Sequence, residues 1–100
     1  MEKENDYNID EETIKGLGLL PSAKNINATL APNARVFEHP QLDNMFIMES
    51  DLYGNPMPKG SCFLAFYGNH GLIGQHLTVE TLKNSSLEDL RKLVDKNVQG

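Results

Sequence analysis

The run from Ser61 to Tyr67 constrains the fold more than any other part of this 100-residue chain. Its alternate positions are apolar on both sides, with Cys62, Leu64 and Phe66 on one side and Phe63, Ala65 and Tyr67 on the other. Because side chains of a strand point alternately to its two faces, such a run is buried on both faces. The pattern predicts a central strand that is covered on both sides, by the rest of the chain or by a second copy in a homodimer.

Three further segments predict an antiparallel sheet around this strand. Met45–Met48 is a strand candidate, and the connection Asp51–Gly60 is rich in Gly, Asn and Pro, as in a long hairpin loop. Arg35–Glu38 predicts a short strand that closes before Pro40. Leu72–Val79 follows as a returning strand. The sequence therefore predicts a small antiparallel sheet of three to four strands.

Both ends of the chain carry helix signals. Asp10 is placed as the N-cap of a short N-terminal helix, which Gly16 and Gly18 end. Near the C-terminus, Ser85 or Ser86 has capping-box spacing to an acidic residue. Leucines and valines then recur at helical intervals, which predicts an amphipathic helix over 86–97. With the sheet, these helices place the chain in the α+β class.

The formal net charge of −5 is concentrated at the N-terminus. Six acidic residues and one lysine within residues 1–12 account for all of it, whereas residues 13–100 hold eight acids and eight bases. We therefore predict a disordered acidic leader over 1–8 and one globular domain over 9–100.

The same composition excludes several classes of partner. An acidic chain is disfavoured as a direct nucleic-acid binder, which needs a basic face. No apolar run reaches the ~20 residues of a membrane span. Without a signal-peptide pattern we expect a cytoplasmic protein, or one of the host cytoplasm if a phage encodes it.

Catalytic and metal-binding residues are not predicted. Cys62 lies in the most apolar run, where a thiol is usually a small buried hydrophobic group. His70 and His76 are six positions apart, on either side of Gly71 and Gly74, and two histidines alone are too few ligands for a metal site. Those glycines lack the lysine and the following helix of a phosphate-binding loop. We predict no cofactor and keep His70 and His76 as candidate contacts to a small ligand.

Two segments are candidates for contact with a protein partner. The loop between the predicted hairpin strands carries four residues with useful contact area or charge: Leu52, Tyr53, Met57 and Lys59. Glu11 and Glu12, at the end of the acidic segment, offer charge to a basic partner. In the alternative interpretation, Tyr53 and Met57 fold back over the sheet, and the two glutamates only stabilise the first turn of the helix.

These observations favour a small non-enzymatic protein-binding module. Inhibitors and adaptors of phages and mobile elements, which occlude a larger protein partner, are of this kind. The alternative hypothesis is a small-ligand-binding or catalytic domain, oligomeric, with its site around Gly68–His76. A third is a structural subunit that assembles with itself.

Overall fold

The computed structural model describes residues 8–22, 29–68 and 71–99. It confirms the α+β class, with one antiparallel sheet whose strands are ordered as in the chain. The elements are α1 (Glu11–Leu17), β1 (Leu20–Pro21), β2 (Val36–His39), β3 (Leu42–Met48), β4 (Ser61–Gly68), β5 (Gly71–Thr78), α2 (Val79–Lys83) and α3 (Leu87–Gln99). Residues 1–7, which make up most of the predicted leader, lie outside the described residues.

The sheet has five strands where the sequence predicts three to four. The additional strand is β1, in which Leu20 pairs with Glu38 and Pro21 with Phe37. A segment of two residues has no alternation of apolar and polar positions, so the sequence carries no signal for it.

Helix α1 begins after Asp10 as predicted and ends at Gly18, whereas Gly16, which is also predicted to stop it, lies within the helix. The carboxylate of Asp10 accepts a hydrogen bond from the backbone N–H of Thr13. Gly18 adopts a left-handed φ of 74° and donates its N–H to the carbonyls of Ile14 and Lys15. These caps fix the bounds of a helix that is too short to be stable without packing.

Helix α3 confirms the predicted C-terminal helix and decides between its two candidate caps. The Oγ of Ser86 accepts from the N–H of Asp89, and the Asp89 carboxylate accepts from the N–H of Ser86. Ser85 instead donates its hydroxyl to the carbonyl of Thr81, at the end of α2. A serine pair at a helix junction thus serves two helices.

Strand β4 is central, as its sequence predicts. It pairs with β3 on one side, where Ile47 lies opposite Leu64, and with β5 on the other. One face forms the first core, which joins β4 to the three helices through Cys62, Leu64, Phe66, Ile14, Leu82 and Leu90. The opposite face forms the second core, which comprises Phe46, Met48, Met57, Phe63 and Ala65.

The two cores are covered by different kinds of structure. Helices cover the first core, whereas the second is covered by loops, with Leu30 and Leu52 packed against it. Both faces of β4 are therefore buried within one chain. None of the helices in the described part of the chain is long and apolar enough to span a membrane.

Candidate functional site

The loop that connects β3 to β4 covers the second core, and its base is an ion pair. The guanidinium of Arg35 donates through Nε and Nη2 to the two carboxylate oxygens of Glu49, at 2.9 and 2.8 Å. Glu49 is 8% exposed and also accepts the backbone N–H groups of Asn8 and Ile9. Arg35 donates further to the carbonyl of Ile9. The pair therefore joins β2, β3 and the segment before α1.

Asn8 closes the far end of the same loop. Its side-chain amide lies within hydrogen-bonding distance of the carbonyls of Met57, Pro58 and Ser61, at 2.8–3.0 Å. Because these three carbonyls flank the start of β4, the end of the loop is held against the N-terminal segment. Asn8, which the sequence places in the disordered leader, is half-buried here.

The middle of the loop is fixed by Ser50 and by short backbone bridges. The Oγ of Ser50 is fully buried, accepts from the N–H of Ala31 at 2.8 Å and donates to the carbonyl of Asp51. Isolated bridges join Ser50 to Pro56 and Tyr53 to Thr29. The loop is therefore tied to its neighbours along its length.

Asp51 shapes the tip of the loop. Its carboxylate accepts the backbone N–H groups of Tyr53 and Asn55 and the side-chain amide of Asn55, at 2.8–3.0 Å. The hydrogen bonds from Asn55, with those from Tyr53 and the nearby charge of His76, lower the pKa of Asp51. The carboxylate is therefore ionised at neutral pH, as these donors require.

The predicted contact residues of the loop separate into exposed and packed side chains. Tyr53 is 82% exposed, and Lys59 is exposed as well. Leu52 is half-buried against the second core, and Met57, at 7% exposure, belongs to it. Met57 therefore packs in the second core, and Tyr53 is the large apolar side chain that the loop exposes to solvent.

His76 of β5 lies on the same face of the sheet as this loop. It pairs with Phe63, and the two rings meet edge-on with centroids 5.4 Å apart. Gly74 allows this arrangement, because a Cβ at that position would lie 2.1 Å from Cε2 of the Phe63 ring. The fold thus brings together two candidate regions, the loop and His76, that the sequence treats separately. His70 lies outside the described residues.

Glu11 and Glu12 lie elsewhere. Both are exposed in the first turn of α1, whose Ile14 packs in the first core. The acidic pair and Tyr53 are therefore on opposite faces of the sheet. A partner that contacts one of them from a single side does not reach the other.

The ion-pair base of the loop is a feature that sequence reasoning missed. The N–H of Glu49 donates to the carbonyl of Arg35, directly beyond the pairing of Val36 with Met48. Opposite charges flanking two predicted strands are a usable signal, because cross-strand neighbours of opposite charge attract. The signal becomes specific only once the register of the two strands is known.

Cys62 is expected to be inert towards thiol reagents in the folded protein. Burial, with the added charge of Glu49, raises the pKa of this thiol to about 12. The thiolate is the reactive species, so native protein should not react with a chromogenic disulfide at neutral pH, whereas protein in denaturant should react fully. Rapid reaction of one thiol per native chain would contradict the burial of Cys62.

An open cavity of about 350 Å³ lies beside the loop, lined by Asn8, residues 31–34, Glu49 and Met57. Both oxygens of Glu49 are already engaged there by Arg35. Within the described ranges, no group of three His, Cys, Asp or Glu side chains is arranged to hold a metal ion. The loop and its exposed tyrosine are therefore the most developed candidate site.

Comparison with protein-family models gives no match, and neither the curated proteins nor the solved structures include a match to this chain.

Proposed function

We propose that this chain is a small protein-binding module and that Tyr53 is the centre of its contact surface. The observation that carries the proposal is the 82% exposure of a tyrosine on a loop that is hydrogen-bonded at its base, middle and tip. An exposed aromatic group on a mobile loop would lose entropy on binding. On a fixed loop most of that conformational entropy has already been lost when the protein folds, so binding loses less of it.

The chemistry of the surrounding residues suits a protein partner. A tyrosine combines a large apolar ring with a hydroxyl group, and this residue type is enriched among the dominant contacts of protein interfaces. The ionised carboxylate of Asp51 accepts the backbone N–H of Tyr53, and the imidazole of His76 is near enough to interact with the charge of that carboxylate. These polar groups would form the hydrogen-bonding rim around an apolar centre.

The finer hypothesis is that the module occludes a functional surface of a larger protein, as inhibitors and adaptors of phages and mobile elements do. A cytoplasmic location, in the host if a phage encodes the chain, belongs to the same proposal. We keep the acidic residues Glu11 and Glu12 as a separate docking site for a basic partner. Their position on the opposite face makes that site independent of Tyr53.

Tyr53→Ala is expected to weaken binding of the partner about 30-fold, which corresponds to about 2 kcal/mol for a dominant interface residue. Affinity purification from the native host identifies the partner, and calorimetry with the purified pair measures the dissociation constant. Because Tyr53 is exposed, its removal should change the free energy of unfolding by less than about 0.5 kcal/mol.

The matched control is Leu20→Ala, which truncates another exposed apolar side chain, 49% exposed, in the edge strand β1. It should leave the dissociation constant unchanged. A further variant lacking residues 1–7 keeps Asn8, Glu11 and Glu12 and tests whether the rest of the acidic leader contributes to binding. Equal affinity of the wild type and Tyr53→Ala for the purified partner would refute the proposed surface.

The alternative of a small-ligand or catalytic site around Gly68–His76 has less support. Of its two histidines, only His76 is described, and its ring contacts Phe63. The described interactions of this imidazole are with the Phe63 ring and with the charge of Asp51, and neither residue belongs to the segment.

A further inference from the structure

The two edges of the sheet are built differently. Strand β1, at one edge, has two residues and ends in Pro21, which has no backbone N–H to donate. Strand β5, at the other edge, has eight residues and contains neither proline nor a residue of fixed charge. Short strands, prolines and charges are the means by which proteins prevent edge-to-edge pairing. The chain has these features at β1 and lacks them at β5.

The outer side of β5 offers a continuous row of hydrogen-bonding groups. In the part of the chain that the structure describes, β5 pairs only with β4. In an antiparallel pair, every second residue directs its N–H and C=O away from its partner strand. Along the strand, exposed and half-buried residues alternate except at Gly74 and Gln75, which are both half-buried, and Ile73 is 37% exposed. A strand added at this edge would satisfy the backbone groups and cover part of Ile73.

We propose that β5 pairs antiparallel with β5 of a second copy, so that two five-stranded sheets become one sheet of ten strands. A strand and its own copy, related by a two-fold axis perpendicular to the sheet, expose matching donors and acceptors. Since the strand carries no fixed charge, self-pairing places no like charges opposite each other.

The side chains favour one register of this pairing. A two-fold axis perpendicular to the sheet requires opposed residues to lie on the same face, so the axis passes through a residue rather than between two. With the axis at Gln75, Ile73 lies opposite Leu77 on the helix face. On the loop face, His76 lies opposite Gly74, the position that has no side chain. Apolar groups therefore meet each other, and the imidazole of each copy meets the Phe63 ring that lies over Gly74 of the other copy.

This dimer has a consequence for the proposed contact surface. A two-fold axis perpendicular to the sheet keeps the loop face of both copies on the same side. Two Tyr53 side chains would therefore point in the same direction, and the dimer would present a bivalent surface to a repetitive or dimeric partner.

The first test is the mass in solution. Light scattering coupled to size-exclusion chromatography should give twice the monomer mass for the wild type at micromolar concentration, and the monomer mass for Ile73→Lys. The lysine places a charge at the edge strand, where charges oppose pairing. Circular dichroism confirms that the variant is folded. A monomeric wild type would overturn the proposal and would leave the β5 edge to a strand of a different protein.

The second test fixes the register and does not depend on the lysine variant. Gln75→Cys should cross-link to its own copy under mild oxidation, because facing Cα atoms of an antiparallel pair lie about 4.5–5.5 Å apart. Ile73→Cys is the control: its side chain is well exposed, but the register places it opposite Leu77, four residues from its own copy. Cross-linking of Ile73→Cys at the same rate, or none with Gln75→Cys, would refute this register.

Dimerisation through β5 and binding through Tyr53 can be tested separately. Tyr53→Ala should retain the mass of the wild type, since Tyr53 lies outside β5. Loss of dimerisation in Ile73→Lys, in turn, should reduce binding only to partners that engage both copies.

Discussion

Glu49→Ala is expected to lower the free energy of unfolding by about 3–5 kcal/mol, as for other buried charge pairs that lose one partner. The substitution leaves the Arg35 guanidinium, 25% exposed, without its bidentate acceptor. It also leaves the N–H groups of Asn8 and Ile9 without the carboxylate oxygen that accepts them. Urea unfolding followed by circular dichroism measures the loss.

The control for this prediction is the ion pair between Lys83 and Asp10 on the surface. Their charged atoms are 3.7 Å apart and both side chains are about half exposed. Lys83→Ala should change the free energy of unfolding by less than about 0.5 kcal/mol, because solvent screens exposed pairs. Similar losses for Lys83→Ala and Glu49→Ala would contradict the structural role assigned to Glu49.

The same carboxylate should make stability depend on pH. Burial is the largest single influence on the pKa of Glu49 and raises it, but the hydrogen bonds from Arg35, Ile9 and Asn8 and the charge of Arg35 outweigh burial. The pKa in the folded protein therefore lies below the ordinary value of 4.5. A lowered pKa contributes stability that is present above 4.5 and is lost as the pH falls through the folded pKa. Glu49→Gln should therefore show a shallower loss of stability in acid than the wild type.

Phe66→Ala is expected to lower the free energy of unfolding by about 3–5 kcal/mol. Phe66 is fully buried in the first core, on the central strand, where the removal of a ring leaves a cavity that a sheet cannot readily fill. Thermal and urea unfolding of the variant measure this effect.

The neighbouring Tyr67 provides a matched control, since it is also an aromatic residue of β4 but points to the other face. It is 39% exposed and its ring meets Phe46 edge-on, with centroids 6.1 Å apart. Tyr67→Ala should cost about 1 kcal/mol, within the range of a single aromatic pair. A larger loss for Tyr67→Ala than for Phe66→Ala would contradict the burial of Phe66 and the exposure of Tyr67.

The parts of the fold that could be predicted are those specified by local chemistry. Asp10, Gly18 and Ser86 cap helices through residues within four positions of themselves, so spacing identified them as candidates, and the structure had to exclude only the neighbouring candidates Gly16 and Ser85. The two-sided apolar pattern of Ser61–Tyr67 likewise predicted a central strand, because a strand that is buried on both faces has apolar residues at consecutive positions.

The parts that could not be predicted depend on pairings between distant segments. The contact of Arg35 with Glu49 requires the register of β2 and β3, which a shift between Glu38 and His39 alters. The different fates of Tyr53 and Met57 have a similar origin: both are apolar residues of one loop, and only the position of the loop over the second core separates them. The sequence around Tyr53 and Met57 has no pattern that indicates which of the two side chains is buried.

The strand order of the sheet also bears on how the chain folds. Each strand pairs with its neighbour in the chain, and only residues 69 and 70 separate β4 from β5. Closing so short a loop costs little entropy, and hairpins form within about 1–10 μs. The hydrogen bonds of Asn8 instead join residues 49 to 53 positions apart. During synthesis the acceptors of Asn8 are added 49 to 53 residues after Asn8 itself. Asn8 therefore cannot dock until the loop and the start of β4 have been made, so the segment before α1 depends on a part of the sheet that is synthesised later.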